Sequence, residues 1–192
     1  MKSVTTLQKH LKPGQVYRRS ELAHWSNAVD RHLSELVKEG ALQKVSPGVY
    51  YYPKESVFGK VPPEETALVR SFLKDDRFLL TSPNAYNALG VGTTQLYNKA
   101  TVYNHKRHGT FKLGNRSFEF QMKHHFPKSL SSEFLLVDLV NNLDKLAEEP
   151  GKVLRNVAAK VPKMDQKKLS HSLKAYGNVK TKKILSPMLN HQ

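Results

Sequence analysis

Between Arg18 and Pro53 the apolar positions change period twice, and each change marks an element. Ser20 is suited to cap a short helix through Trp25, a two-residue break follows, and Asn27 is suited to cap a second helix running to Gly40. Val29, Leu33, Leu36 and Val37 fall at i, i+4, i+7 and i+8 of that second helix and form one inward stripe. Asn27, Asp30, Arg31, Ser34 and Lys38 lie on its other faces. Gly40 stands at the C′ position, and ALQKV and GVYYY, flanking Ser46-Pro47, have the β-branched and aromatic residues of a small hairpin. Helix, turn, helix and hairpin in this order predict a winged helix-turn-helix.

The pattern extends in both directions. Residues 3–11 place Val4, Leu7 and Leu11 at helical spacing, ended by Pro13-Gly14, and QVYRR reads as a strand able to pair with the wing. KESVFGKVPP reads as a linker, so the predicted domains are 1–56 and 57–192. In the second, Pro63 opens a helix buried through Ala67, Leu68, Phe72 and Leu73, RFLLTS is a buried strand, and PNAYNALG is a helix ended by Gly90. Tyr97 to Tyr103, 110–113 and 117–123 are strand-like, the last pair joined by the turn Leu113-Gly114-Asn115-Arg116, with Phe118, Phe120 and Met122 on one face. From Ser131 the period is helical: Phe134, Leu135, Val137, Leu139, Val140 and Leu143 make a helix buried on more than one side. Three short amphipathic helices follow, separated by Pro162 and Gly177. The predicted fold class is α+β: a winged helix, a small mixed or antiparallel sheet with helices, and a helical bundle.

Charge adds direction to this outline. The chain has 192 residues, 39% apolar, with a net charge of +15, and so basic a protein is drawn to polyanions. Residues 1–61 carry a net +5, residues 62–151 a net +1, and the last 41 residues ten Lys/Arg against the single acid Asp165. Lys160, Lys163, Lys167, Lys168, Lys174, Lys180, Lys182 and Lys183 make the tail a second basic surface, for phosphate or for an acidic protein. No stretch of 18 apolar residues and no secretory signal is found, so a cytoplasmic protein without a membrane span is expected. The absence of cysteine excludes disulfides, thiol catalysis and cysteine-ligated zinc.

On a recognition helix, short polar side chains reach base edges and flanking cations hold phosphate. Arg31 is placed for guanine and Asn27 for adenine or phosphate, while Ser20, Ser26, Ser34 and Lys38 complete the polar surface. Arg18 and Arg19 stand ready for phosphate, and Lys44 and Ser46 on the wing for the neighbouring backbone. Asp30 caps the helix or orients Arg31. A protein-docking role for the same module is the alternative. No enzyme, cofactor or metal is expected. His105, His108, His124 and His125 have no Asp or Glu beside them, Gly90-Val91-Gly92 lacks the lysine of a phosphate loop, and Ser131 or Ser132 before Glu is explained by capping. Glu119-Phe120-Gln121-Met122-Lys123 is a weak likeness to the acid-x-Lys element of metal-dependent nucleases, with Gln121 where a carboxylate is wanted.

The wing end GVYYYP, the small-residue helix Ala85 to Leu89 with its exit Gly90-Val91-Gly92-Thr93-Thr94-Gln95, and the basic strand pair from Tyr103 to Phe120 together resemble the AbiEi-type antitoxins of bacterial abortive-infection systems, in particular their shorter DUF6088-like relatives. The resemblance covers about residues 15–125. It implies a transcriptional autorepressor that binds double-stranded DNA in its own promoter through Arg18, Arg19, Asn27, Arg31 and Lys44, and that neutralises a nucleotidyltransferase-like toxin.

Overall fold

The computed structural model describes residues 4–189 of a chain that is mixed α+β. Ser3 and Asn190, at the outer ends of two predicted helices, lie outside the described residues. The backbone forms two compact units, and neither is a single stretch: Met1–Asp76 with Thr110–Phe118, and Arg77–Gly109 with Glu119–Gln192. The division at 56/57 expected from the sequence falls inside the first unit.

The first unit opens with α1 (Val4–Gln8), β1 (Gln15–Arg18) and α2 (Arg19–Leu22), which runs on as a 3-10 turn through Trp25. Next come α3 (Val29–Lys38), β2 (Gln43–Ser46) and β3 (Val49–Tyr52). The three strands form an antiparallel sheet in the order β1-β3-β2, with Tyr17 opposite Tyr50 and Lys44 opposite the same tyrosine from the other side. Leu7, Leu11, Leu22, Val29, Leu33, Leu36 and Leu42 are the helical core, and Tyr50 and Tyr52 pack on it from the sheet. Val49 and Tyr51 alternate with those two along β3 and so point to the opposite face, where they are also buried. Strand β3 is therefore covered on both faces, which accounts for its aromatic run.

Three local readings are corrected. Ser20 does not cap α2: Arg18 is the N-cap, and the Glu21 carboxylate reaches back to accept from its N–H at 2.7 Å. Asn27 does not cap α3, which begins after Ala28 with no side-chain cap; the nearby Ser26 Oγ accepts from Ala28 N at 3.2 Å instead. The supposed linker is a second hairpin, β4 (Lys54–Ser56) and β5 (Gly59–Val61), with Ser56 facing Gly59 across its turn. The turn's side chains, Val57 and Phe58, are 93% and 98% exposed. Helix α4 (Glu65–Leu73) closes this part of the chain through Leu68, Val69 and Leu73.

In the second unit β6 (Phe78–Thr81) pairs antiparallel with β7 (Ala100–Asn104), and the Pro83–Leu89 segment between them is 3-10 rather than α-helical. Strand β7 starts later than expected because the Tyr97 N–H is bonded to the Asn84 side chain at 2.7 Å, not to a ladder. Strands β8 (Gly109–Leu113) and β9 (Arg116–Met122) complete the ladder order β6-β7-β9-β8. Their turn, Gly114-Asn115, together with β8 from Thr110 and β9 as far as Phe118, belongs to the first unit, where Gly114 N donates to Val45 O at 2.7 Å. Phe118 and Phe120 are buried as the alternation requires, but Met122 is 58% exposed. Helices α5 (Ser132–Asn142), α6 (Pro150–Lys160), α7 (Gln166–Tyr176) and α8 (Val179–Leu189) follow. Ser131 caps α5 by accepting from Phe134 N, and seven consecutive residues of that helix, Phe134 to Val140, are buried. Among the described residues no helix is long and apolar enough to cross a membrane.

Candidate nucleic-acid interface

Helix α3 turns Val29, His32, Leu33 and Leu36 inward and leaves Asp30, Arg31, Ser34 and Lys38 exposed. His32, absent from the predicted stripe, replaces Val37 as the fourth buried position because its ring is satisfied at both ends. Arg31 Nη2 lies 3.4 Å from His32 Nε2, and His32 Nδ1 shares a 2.7 Å hydrogen bond with Ser26 Oγ. A guanidinium only donates, so Nε2 accepts and Nδ1 carries the proton toward the serine. Arg31 also lies 3.9 Å from Glu35, one turn along the helix. Both contacts are made by the guanidinium itself, while the side chain stays 66% exposed.

The acidic residue of this face has a partner the sequence did not indicate. Asp30 neither caps α3 nor orients Arg31: its two oxygens accept from Arg19 Nε and Nη2, both at 2.6 Å. These hydrogen bonds hold the Asp30 carboxyl below its ordinary value and raise the guanidinium above its own. Arg18 is engaged in the same manner, donating to Glu21 from Nε and Nη2. Ser34 Oγ donates back to Asp30 O at 2.9 Å. Ser26 and Ser46 are 5% and 8% exposed, so neither offers its hydroxyl to a ligand at the surface. Of the residues the sequence marked for DNA, Ser20, Asn27, Arg31, Lys38 and Lys44 are exposed and not held by a carboxylate at hydrogen-bonding distance.

In the carboxy-terminal helices Lys163, Lys167, Lys168, Lys174, Lys180, Lys182 and Lys183 are exposed and Lys160 is half-buried. Asp165, the acid of this stretch, caps α7 through Lys168 N and approaches the Lys168 ammonium at 3.8 Å. Lys180 reaches Asp144 at 2.7 Å. The surface keeps its strong positive character because these two carboxylates face it locally, one cation each.

A buried constellation in the second unit escaped the sequence reading. Asp138 is fully buried in α5 and accepts from Tyr86 Oη at 2.7 Å, Tyr103 Oη at 2.9 Å and Asn142 Nδ2 at 3.3 Å. Lys123 Nζ stands 3.5 Å from the carboxylate and 3.7 Å from the centre of the Tyr103 ring. Burial, reinforced by the Asp138 charge, pushes both tyrosine hydroxyls far above their ordinary values. Burial also pulls the Lys123 ammonium down, against the attraction of Asp138. Lys123 is thus committed to Asp138 and not to the nuclease-like arrangement on its own strand. There Glu119 pairs with Lys99 and accepts from Gln121 at 2.8 Å. Burial raises the Glu119 carboxyl, but these two partners outweigh it and hold the group low. Among the described residues no set of three or more His, Asp or Glu side chains is disposed to hold a metal ion.

No curated protein matches the chain. Among solved structures, the crystal structure of the RV2827C protein from Mycobacterium tuberculosis is similar to it, with a TM-score of 0.61 and 16% sequence identity over 98% of this chain and 75% of that one. At that identity the likeness is one of fold. The model of DUF6088, a family of unknown function, matches residues 5–173. With most of its length inside that match, the chain belongs to the DUF6088 family.

Proposed function

We propose that this protein is a sequence-specific, double-stranded DNA-binding autorepressor whose amino-terminal elements act as a winged helix. The observation that carries the reading is the order helix, strand, helix, helix, strand, strand, with ladder order β1-β3-β2 and the polar side of α3 turned to solvent. In this reading α3 lies in the major groove. Arg31 addresses a guanine edge, Asn27 and Lys38 flank it, and Lys44 meets the adjacent phosphates. The carboxy-terminal lysines add affinity that does not depend on sequence.

The test is a mobility shift with the DNA upstream of the protein's own gene at 150 mM salt. Arg31→Ala is expected to weaken that complex by about 5- to 150-fold, the equivalent of about 1–3 kcal/mol for one bidentate base contact. An unchanged shift would reject the assignment. A second reading, a protein-docking adaptor that neutralises a nucleotidyltransferase-like toxin, is favoured by the capture of Arg18 and Arg19 by carboxylates and by the exposed Val57 and Phe58. Tight association with such a toxin, unaccompanied by preference for the upstream DNA, would favour the adaptor.

A further inference from the structure

The segments after β7 and β9 and the last turns of α7 enclose a groove of about 620 Å³ within the second unit. Four imidazoles line it: His105 after β7, His124 and His125 after β9, and His171 on α7. Lys174, three residues beyond His171 and therefore on the same side of the helix, adds an ammonium. Phe126 and Tyr176 supply aromatic faces. The His105 ring stacks on Phe126 at 4.7 Å between centroids, and Tyr176 is held edge-on against Phe134 at 5.3 Å. None of the described residues lining the groove is a carboxylate.

The surroundings reinforce this character. The turn after β7 continues with Lys106, Arg107 and His108, and the segment after Phe126 brings Lys128. Along α7 a neighbouring recess adds Lys167 and Ser170 to His171 and Lys174. A further recess contains Glu133, facing Lys167, Lys168 and His171. Lys123, beside His124, is occupied by Asp138, and Asp165 by Lys168.

We propose that this groove binds a single-stranded nucleic acid. Its phosphodiesters would lie against the imidazoles and Lys174, and a base would stack on the ring pair of His105 and Phe126 or on Tyr176. A string of fixed single negative charges separated by flat apolar rings matches a cationic trough interrupted by aromatic faces. A metal ion would need a convergent ligand set, which is not found among the described residues. An acidic peptide would leave the aromatic faces without a counterpart. Because histidine changes charge between about pH 5 and 8, affinity rises on acidification, which lysine attraction alone does not produce. The groove shares no residue with α3, though its Lys174 also belongs to the carboxy-terminal lysine surface.

The experiment is fluorescence anisotropy of the full-length protein with a labelled oligothymidine of about twelve nucleotides, long enough for one such trough. It is run at pH 6 and pH 8 at equal ionic strength. Binding about tenfold tighter at pH 6 is expected. The double substitution His124→Gln, His125→Gln is expected to remove about half of that difference, and His171→Ala with Lys174→Ala to weaken binding at both pH values, more at pH 6 than at pH 8. These side chains are exposed, so folding is retained and is verified by circular dichroism. Equal affinity at both pH values, wild-type binding by both double variants, or full displacement by equimolar adenosine monophosphate or polyglutamate would overturn the proposal.

Discussion

Replacing Asp138 by alanine tests whether the buried constellation holds the second unit together. The carboxylate is fully buried and receives two hydroxyl hydrogen bonds of 2.7 and 2.9 Å. Hydrogen bonds to a charged group contribute about 1.5–3 kcal/mol each, which places the gross loss near 3–6 kcal/mol. One feature reduces it: the Lys123 side chain is 29% exposed and can turn its ammonium to water. The net expectation is about 3–5 kcal/mol, the range for breaking a buried ion pair from one side. That is a large share of the roughly 5–15 kcal/mol that holds a typical domain folded. Urea titration followed by far-ultraviolet circular dichroism measures it, with the m-value checked because a chain of two units need not unfold in one step. Asp138→Asn keeps an acceptor and the volume and is expected to lose about half as much. A midpoint for Asp138→Ala within about 0.5 kcal/mol of wild type, at unchanged m, would refute the reasoning.

Asp30→Ala releases Arg19, and if α3 meets duplex DNA the variant binds more tightly, with a salt slope steeper by about 0.9; a salt titration of the mobility shift checks this, and the urea midpoint is expected to stay in place. The folded Lys123 ammonium titrates below its ordinary 10.5, so between those two values the unfolded chain binds more protons and stability rises with pH. Urea midpoints across that alkaline interval are expected to show wild type gaining stability relative to Lys123→Met, the opposing loss from the raised Tyr86 and Tyr103 hydroxyls being common to both. Ser26→Ala removes the acceptor of both Ala28 N and His32 Nδ1 and is expected to destabilise the first unit by about 1–3 kcal/mol, read from Trp25 fluorescence during urea unfolding.

Local order was legible where a period or a turn encodes it. The α3 stripe follows from Val29, Leu33 and Leu36, the hairpin from Ser46-Pro47-Gly48, and the capping of α5 from Ser131. Partners distant in sequence were not. Asp138 sits in a run of apolar residues, and nothing local shows that Tyr86, 52 positions earlier, turns its hydroxyl toward it. Arg19 looks available to DNA and Asp30 looks like a helix cap or a partner of Arg31 until the fold brings the two together across 11 positions. Ser46 looks like an exposed wing residue because its burial depends on packing that no neighbouring residue announces. Of the groove's histidines, His105, His124 and His125 were visible as near neighbours in sequence, but His171, some 46 residues beyond His125, joins them only through α7.

The Gly114-Asn115 turn has a consequence for how the protein is made. Residues Thr110–Phe118 belong to the first unit, and Gly114 N closes on Val45 O within it. During synthesis the leading segment therefore waits for a piece of chain more than thirty residues beyond Asp76 before its contacts are complete. Such a unit is not a cassette that gene fusion can lift out by one cut after residue 56. A ribosome stalled before Thr110 would hold a first unit that still lacks the Gly114 hydrogen bond to Val45 on its edge strand β2.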